Sequence, residues 1–321
     1  MKYAFIRRNR RVWPVRIQCR VLGVSVAGYY QHFARWERAA QRRHLSEEAL
    51  NVEVRAVYLE QRGAYGWPRV WRELRDRGIR VGKQRVQQLM QRQGLRGRSR
   101  KRFRVVTTDS RHGLPIAPNR LDRQFQVSAP NRVWVGDITY IGTGEGWLYL
   151  AVVVDLFSRK IVGWSLRSDM RTEMVTKALE MAWYQRGPQR GQELMFHSDR
   201  GCQYASDEFR RLLSRFDIVP SMSRKGNCWD NACAETLFGS LKVERLAGRK
   251  FRTRREAQDE ALEWIHWYNN RRMHSTLNYR SPVQFEKAWE SSDQQGQGRG
   301  KAEKQKSFSN FPTATTTAAG V

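Results

Sequence analysis

The sequence predicts a multidomain protein: an all-α front end built on helix-turn-helix patterns, then a mixed α/β core. Three observations carry this. Basic charge crowds into the first third of the chain, and apolar positions recur there at helical spacing. From Val133 onward, strand-like apolar runs alternate with amphipathic helices.

The 321 residues include 59 Lys or Arg and 31 Asp or Glu, a formal charge of +28. Residues 1–111 hold 28 basic and 8 acidic side chains, a net +20, which leaves only +8 for the other 210. A front end so basic points to a polyanionic partner, because neutralising phosphates releases condensed counterions. No apolar run reaches the ~18 residues of a membrane span, and the opening MKYAFIRRNRR is too short in its apolar part for a signal peptide. Cys19, Cys202, Cys228 and Cys233 show neither disulfide-framework nor paired zinc-knuckle spacing. This fits a reducing compartment, and a cytoplasmic, nucleoid-associated location is expected.

Residues 12–40 read as a helix-turn-helix, with VRIQCRVLG as a short helix, Gly23 at the turn, and Ser25 as N-cap of VAGYYQHFARW. Ser46 caps a further helix over 46–62, whose apolar face is Leu50, Val54, Val57 and Leu59. A second helix-turn-helix follows. WPRVWRELRDRG has Pro68 in its first turn and Gly78 past its end. GKQRVQQLMQRQG turns Val86, Leu89 and Met90 inward and Lys83, Arg85, Gln87, Gln88 and Gln91 outward. Such an outward face is what a major-groove reader needs; an ordinary three-helix core with a solvated basic face would carry the same pattern. Lys83, Arg85, Gln87 and Gln88 are the candidate DNA-binding residues.

Residues 99–130 read as a basic, Pro-containing linker. Next come VWVGDITYI, a turn at 142–146, WLYLAVVVDLFS and RKIVGWSLRS, three strands able to form an antiparallel meander. TEMVTKALEMAWYQR is a helix, ELMFHSD a buried strand, SDEFRRLLSRF a helix and IVPSMS a last strand. Two more helices cover DNACAETLFGSLKVERL and REAQDEALEWIHWYNNRR. The expected domains are therefore 1–62 and 63–98, both helical, the linker, a core over 131–290, and a disordered tail over 291–321 rich in Ser, Gly, Gln, Thr and Ala.

Three acids stand out. Asp137 lies mid-strand, on the face of Val133, Val135 and Thr139, where a carboxylate is costly unless paired or metal-bound. Asp199 ends the ELMFHSD strand, the place where sites gather in α/β folds. Glu235 falls inside a helix, 36 positions after Asp199. Lys242 follows seven positions later on the same face, and Asn231 precedes it by one turn. His197 shares the face of Asp199, so His197 and Asn231 are candidates for supporting the site. Carboxylates gathered from two strands and a helix can hold two divalent metals for phosphodiester chemistry. No P-loop pattern is present, so no ATP is expected.

WVGDITYI, VVVDLFSRKIVGW, FHSDRGCQY, SRKGNCWDNACAETLFGSLKVE and YNNRRMHSTLNYRSPVQFE together resemble the orfB-type transposases of the insertion-sequence-three family, from about Val12 to Trp289. The resemblance implies a ribonuclease-H-like core similar to retroviral integrase. It implies that Asp137, Asp199 and Glu235 are catalytic and hold two Mg2+ ions, with Mn2+ able to substitute, and that Lys242 contacts the element end. The implied partners are double-stranded DNA, as terminal inverted repeats and as target, and further copies of the chain. The product of an upstream reading frame, separate or fused by frameshift, is another. Two other functions fit parts of the pattern: a non-catalytic DNA-binding repressor or decayed copy, and a plain ribonuclease-H-type nuclease.

Overall fold

The computed structural model describes residues 2–37, 45–98, 112–189, 191, 193–224 and 232–292. The chain divides into two compact units, Met1–Gly97 and Arg98–Val321.

In the first unit, α1 (Lys2–Asn9), α2 (Val15–Val21) and α3 (Val26–Glu37) enclose Ile6, Cys19 and Tyr29. The Ser25 hydroxyl accepts the Gly28 N–H at 2.9 Å, so the cap read from the sequence forms. A second trio is α4 (Glu47–Glu60), α5 (Trp67–Asp76) and α6 (Lys83–Arg92), each packed on the other two. Thus α4 keeps company with the helices that follow it, across the division expected at 62/63. Leu50, Val54 and Val57 are buried as expected, whereas Leu59 is 60 % exposed. It sits off the stripe that the other three define. Gly78, at φ +82°, ends α5, and the Trp71 indole N–H donates to the Val81 carbonyl at 2.8 Å, tying the turn to the helix.

The second unit is a five-stranded mixed sheet in the order β3-β2-β1-β4-β5. β1 (Val133–Thr143), β2 (Gly146–Asp155) and β3 (Ile161–Arg167) form the antiparallel meander. β4 (Met195–Ser198) and β5 (Val219–Met222) run parallel to β1. One face is covered by α7 (Thr172–Arg186), α8 (Cys202–Ala205) and α9 (Asp207–Arg215) around Trp134, Phe196, Leu179 and Phe209. The other carries α10 (Ala232–Leu241), which continues into one wide turn over Lys242–Leu246, and α11 (Arg254–Asn270). This is the integrase-like, ribonuclease-H-like plan. A last helix, α12 over 282–292, was not expected from the sequence. Its signal is there: the Ser281 hydroxyl accepts the Gln284 N–H and the Gln284 side chain accepts the Ser281 N–H, a capping box.

Buried ion pairs lock the periphery of the sheet. Arg186, closing α7, grips Glu286 of α12 with two N–H···O bonds of 2.9 and 3.0 Å and stands 3.6 Å from the fully buried Asp155. Asp155 also accepts the Asn131 and Phe157 N–H groups at 2.7 and 2.9 Å. It is therefore a structural anchor of the β2 end. On α11, the Asn269 amide both donates to and accepts from Ile161, extending the ladder at β3. Arg272 is buried against Glu244 at 2.7 Å. The YNNRR stretch packs α11 back onto the core through Tyr268, Asn269 and Arg272.

Candidate active site

The sheet register sets two of the three acids side by side. In the parallel β1–β4 pair, Val135 faces His197. Two residues further along each strand bring Asp137 level with Asp199, on the same face and on strands ~4.8 Å apart. β4 stops at Ser198, so Asp199 sits at its carboxyl end and the edge of β1 beyond Val135 runs free of a β4 partner. The third acid arrives from above. Ala234 of α10 packs with Val135, Leu121 and Leu156, which seats the first turn of α10, and with it Glu235, over the face that carries Asp137.

The electrostatics report the same gathering. Burial, followed by the like charges of Asp199 and Glu235, pushes the Asp137 carboxyl well above the usual carboxylate range. The Ile138 N–H, bonded to Oδ1 at 2.8 Å, and the Lys242 charge pull the other way and are outweighed. Asp199 accepts the Gly201 N–H at 3.0 Å, a bond that shapes the DRG turn. Behind the pair, burial and then the charges of Asp137 and Asp199 push the Tyr204 phenol well up. Lys242 lies in the wide turn after α10, its Nζ 5.1 Å from the centre of the Tyr140 ring.

Asp137 and Asp199 are half-buried, and Glu235 is exposed on the first turn of α10. Among the described residues, no three His, Cys, Asp or Glu side chains stand close enough to make a finished metal cage. The donor set is nonetheless all oxygen, the preference of hard divalent cations, and the charge conflict at Asp137 is one that a cation relieves.

His197 is fully buried between β1 and β5, its Nδ1 2.9 Å from the Ser221 hydroxyl. That hydroxyl also accepts the Arg120 and Leu121 N–H groups, so Ser221, with His197 behind it, fastens the segment before the core to the sheet. Asn231 lies outside the described residues. On α6, Val86, Leu89 and Met90 are buried, while Lys83, Gln87 and Gln88 are exposed and Arg85 is partly so. The Lys83 ammonium rests 4.8 Å from the Trp71 ring centre. Sequence reasoning missed Tyr140 and Tyr204 at the site; their signal was position, one beside the DIT run and one just after DRG.

Comparison with known families gives matches along most of the chain. A model described as an HTH-like domain matches residues 44–103, and two integrase core domain models match residues 127–228 and 217–282. Transposase InsF for insertion sequence IS3A of Escherichia coli (strain K12) is 40 % identical over 287 residues, 89 % of this chain and 98 % of that protein. An insertion element IS600 uncharacterized 31 kDa protein of Shigella sonnei is 41 % identical over 83 % of this chain and 96 % of its own length. Among solved structures, a simian T-cell lymphotropic virus intasome chain aligns at 22 % identity with TM-score 0.42, over 56 % of this chain and 60 % of that one. The HTLV-2 integrase catalytic core domain in complex with magnesium aligns at 18 % identity with TM-score 0.37, over 49 % and 97 %. No helix among the described residues is long and apolar enough to cross a membrane.

Proposed function

The chain belongs to the insertion-sequence-three family of transposases, enzymes of the polynucleotidyl transferase class acting in DNA transposition, and from this premise we propose that it cuts and joins element ends by metal-dependent chemistry at Asp137, Asp199 and Glu235. The single observation that carries the reading is the conflict at Asp137: a half-buried carboxylate in mid-β1, level with Asp199 at the carboxyl end of the adjacent parallel strand and acted on by the charges of Asp199 and Glu235. Charges are not crowded this way for stability. Two Mg2+ ions, or Mn2+ in their place, would when bound polarise the phosphate and activate the attacking hydroxyl. Asp137 and Asp199 supply a rigid pair of oxygens because both side chains are fixed by backbone N–H groups. Glu235, exposed and on a helix turn, completes the set by swinging inward. No side-chain nucleophile is needed: water serves for nicking and a DNA 3′-hydroxyl for joining.

Lys242, close enough for its charge to act on Asp137, is suited to hold a phosphate next to the scissile one. The outward face of α6, with Lys83, Arg85, Gln87 and Gln88, reads duplex DNA from the major groove, and copies of the chain assemble on the two ends. The test is a strand-joining assay with element-end DNA. Asp137→Asn, Asp199→Asn and Glu235→Gln each abolish joining while end binding persists. A variant that joins at near wild-type rate removes its residue from the set.

A further inference from the structure

Beyond the acids, the free edge of β1 leads toward the tip of the β1–β2 hairpin, and the surface there is not built like a solvated hairpin. Trp147, opposite Gly142 in the ladder, is 52 % exposed. Its ring meets Tyr140 edge-on, centroids 4.8 Å apart. The Tyr140 hydroxyl is covered yet has no hydrogen-bond partner among the described residues, a condition that calls for an explanation. Lys242 connects this aromatic pair to the acids, since its charge reaches Asp137 and its Nζ stands over the Tyr140 ring.

The segment after the wide turn, GRKFRTRR over 248–255, holds five cations and no acid. It is fastened to the hairpin tip. Phe251 bridges to Thr143, the Gly144 N–H donates to the Phe251 carbonyl at 2.9 Å, and the Arg254 N–H donates to Glu145 at 2.8 Å. Arg249 and Arg255 are committed to Glu260 and Asp259. Lys250 and Arg252 are exposed, and their side-chain cations have no carboxylate partner among the described residues, Arg252 bonding Glu256 through its backbone N–H alone.

We propose that Trp147, backed by Tyr140, stacks on an unpaired base of the DNA strand next to the cut site, while Lys250 and Arg252 hold its phosphates, so that the catalytic core carries a strand-binding surface of its own. The spacing fits. Tyr140 is three strand residues from Asp137 and Trp147 five from its cross-strand partner Val152, about 10 and 17 Å at ~3.4 Å per residue. That is roughly three to five base steps at the ~3.4 Å rise of one DNA strand. These odd spacings put both rings on the face opposite Asp137, and the β1 edge beyond Val135, where Lys242 reaches Tyr140, is where the DNA strand passes from one face to the other. Aromatic faces beside cations are the usual way to hold single strands without reading sequence. The inference rests on the core being the part that engages the cut DNA, and its test does not depend on the acids.

The experiment uses the full chain carrying Asp199→Asn, in EDTA, so that catalysis plays no part. Two probes are compared by fluorescence anisotropy: a blunt duplex, and the same duplex with a single-stranded 3′ thymine tail containing 2-aminopurine. Trp147→Ala lowers the preference for the tailed probe by roughly 5- to 150-fold and abolishes the quenching of 2-aminopurine, with blunt-duplex affinity unchanged. Trp147→Phe retains most of both. Lys250→Ala with Arg252→Ala flattens the log-affinity against log-salt slope by about 1.4 to 1.8. An unaltered tail preference in Trp147→Ala overturns the proposal, as does an unchanged salt slope in the double variant. A change of oligomeric state in Trp147→Ala without DNA, with tail binding intact, assigns the surface to protein contact and likewise overturns it.

Discussion

Replacing Arg186 with Met tests whether the architecture behind the site depends on buried ionic anchoring. Arg186 is 13 % exposed and serves two carboxylates, Glu286 at 4 % and Asp155 at 0 %. Its loss leaves Glu286 with the Lys160 ammonium at 2.8 Å and the Ser158 hydroxyl at 2.7 Å, but leaves Asp155 with only two backbone N–H donors. Removing one partner of a buried pair costs about 3–5 kcal/mol. At ~2–4 °C per kcal/mol for a unit of this size, Tm falls by roughly 6–20 °C. The loss depends on pH with a definite sign. Burial already raises the Asp155 carboxyl, against the pull of the Asn131 N–H and Arg186, and without Arg186 it rises further. A raised carboxyl takes up its proton in the folded state before the unfolded chain does, at about 3.9. Stability is therefore regained as pH falls from that raised value toward the unfolded one. Glu286 behaves oppositely in the wild type. Burial raises it, but Arg186, Lys160 and Ser158 together bring it below its ordinary range, so its contribution is lost as pH falls through that lowered value. Urea unfolding at pH 7.5 and pH 5 should give a larger penalty for Arg186→Met at pH 7.5. A penalty under ~1 kcal/mol, or one equal at both pH values, refutes the anchoring argument.

Three further outcomes follow from the same packing. Gly136→Ala places a Cβ 2.3 Å from the Phe196 ring; thermal unfolding should show a loss of about 1–3 kcal/mol, and joining should fall with it because the β1–β4 register aligns Asp137 with Asp199. On α6, Lys83→Ala should weaken binding to all duplexes alike and reduce the salt slope by about 1, whereas Gln88→Ala should cost roughly 1–3 kcal/mol on the element's own ends alone; identical effects on specific and random DNA would remove Gln88 from base reading. Ser281→Ala deletes the capping box of α12 and should cost about 1 kcal/mol in urea unfolding; no change would mean that α12 is held by Glu286 and by the contacts of Phe285 and Trp289 with Phe157 alone.

Much of this was legible because two periodicities are hard to counterfeit. The alternation of VWVGDITYI put Asp137 on the face of Val135, and that face is the one α10 covers. The inward Val86, Leu89 and Met90 of α6 follow from helical spacing. Illegible features arise where contacts cross long stretches of chain. β4 spans only four residues, so the level pairing of Asp137 with Asp199 depends on a register that no local pattern reveals. Leu59 looks apolar enough for a core, yet the α4 stripe is already filled by Leu50, Val54 and Val57. Lys242 was placed two α-turns beyond Glu235, whereas the helix widens there, which shifts it toward Tyr140. The role of Arg272 in YNNRR is set by a buried acid 28 residues upstream, Glu244, which no local pattern reveals.

The central claim is that three carboxylates act as one set, and the most direct measurement is strand joining by Glu235→Gln beside the wild type. Of the three, Glu235 is the exposed one, so the amide fits without disturbing the fold and any loss is chemical. The wild type should join labelled element ends in Mg2+ or Mn2+ and stop in EDTA. Glu235→Gln should bind the same DNA with unchanged affinity and melt at an unchanged temperature, yet join at least a hundredfold more slowly, on the order expected when one group acting as a unit is removed. Near wild-type joining by Glu235→Gln, or joining that survives EDTA, would contradict the account.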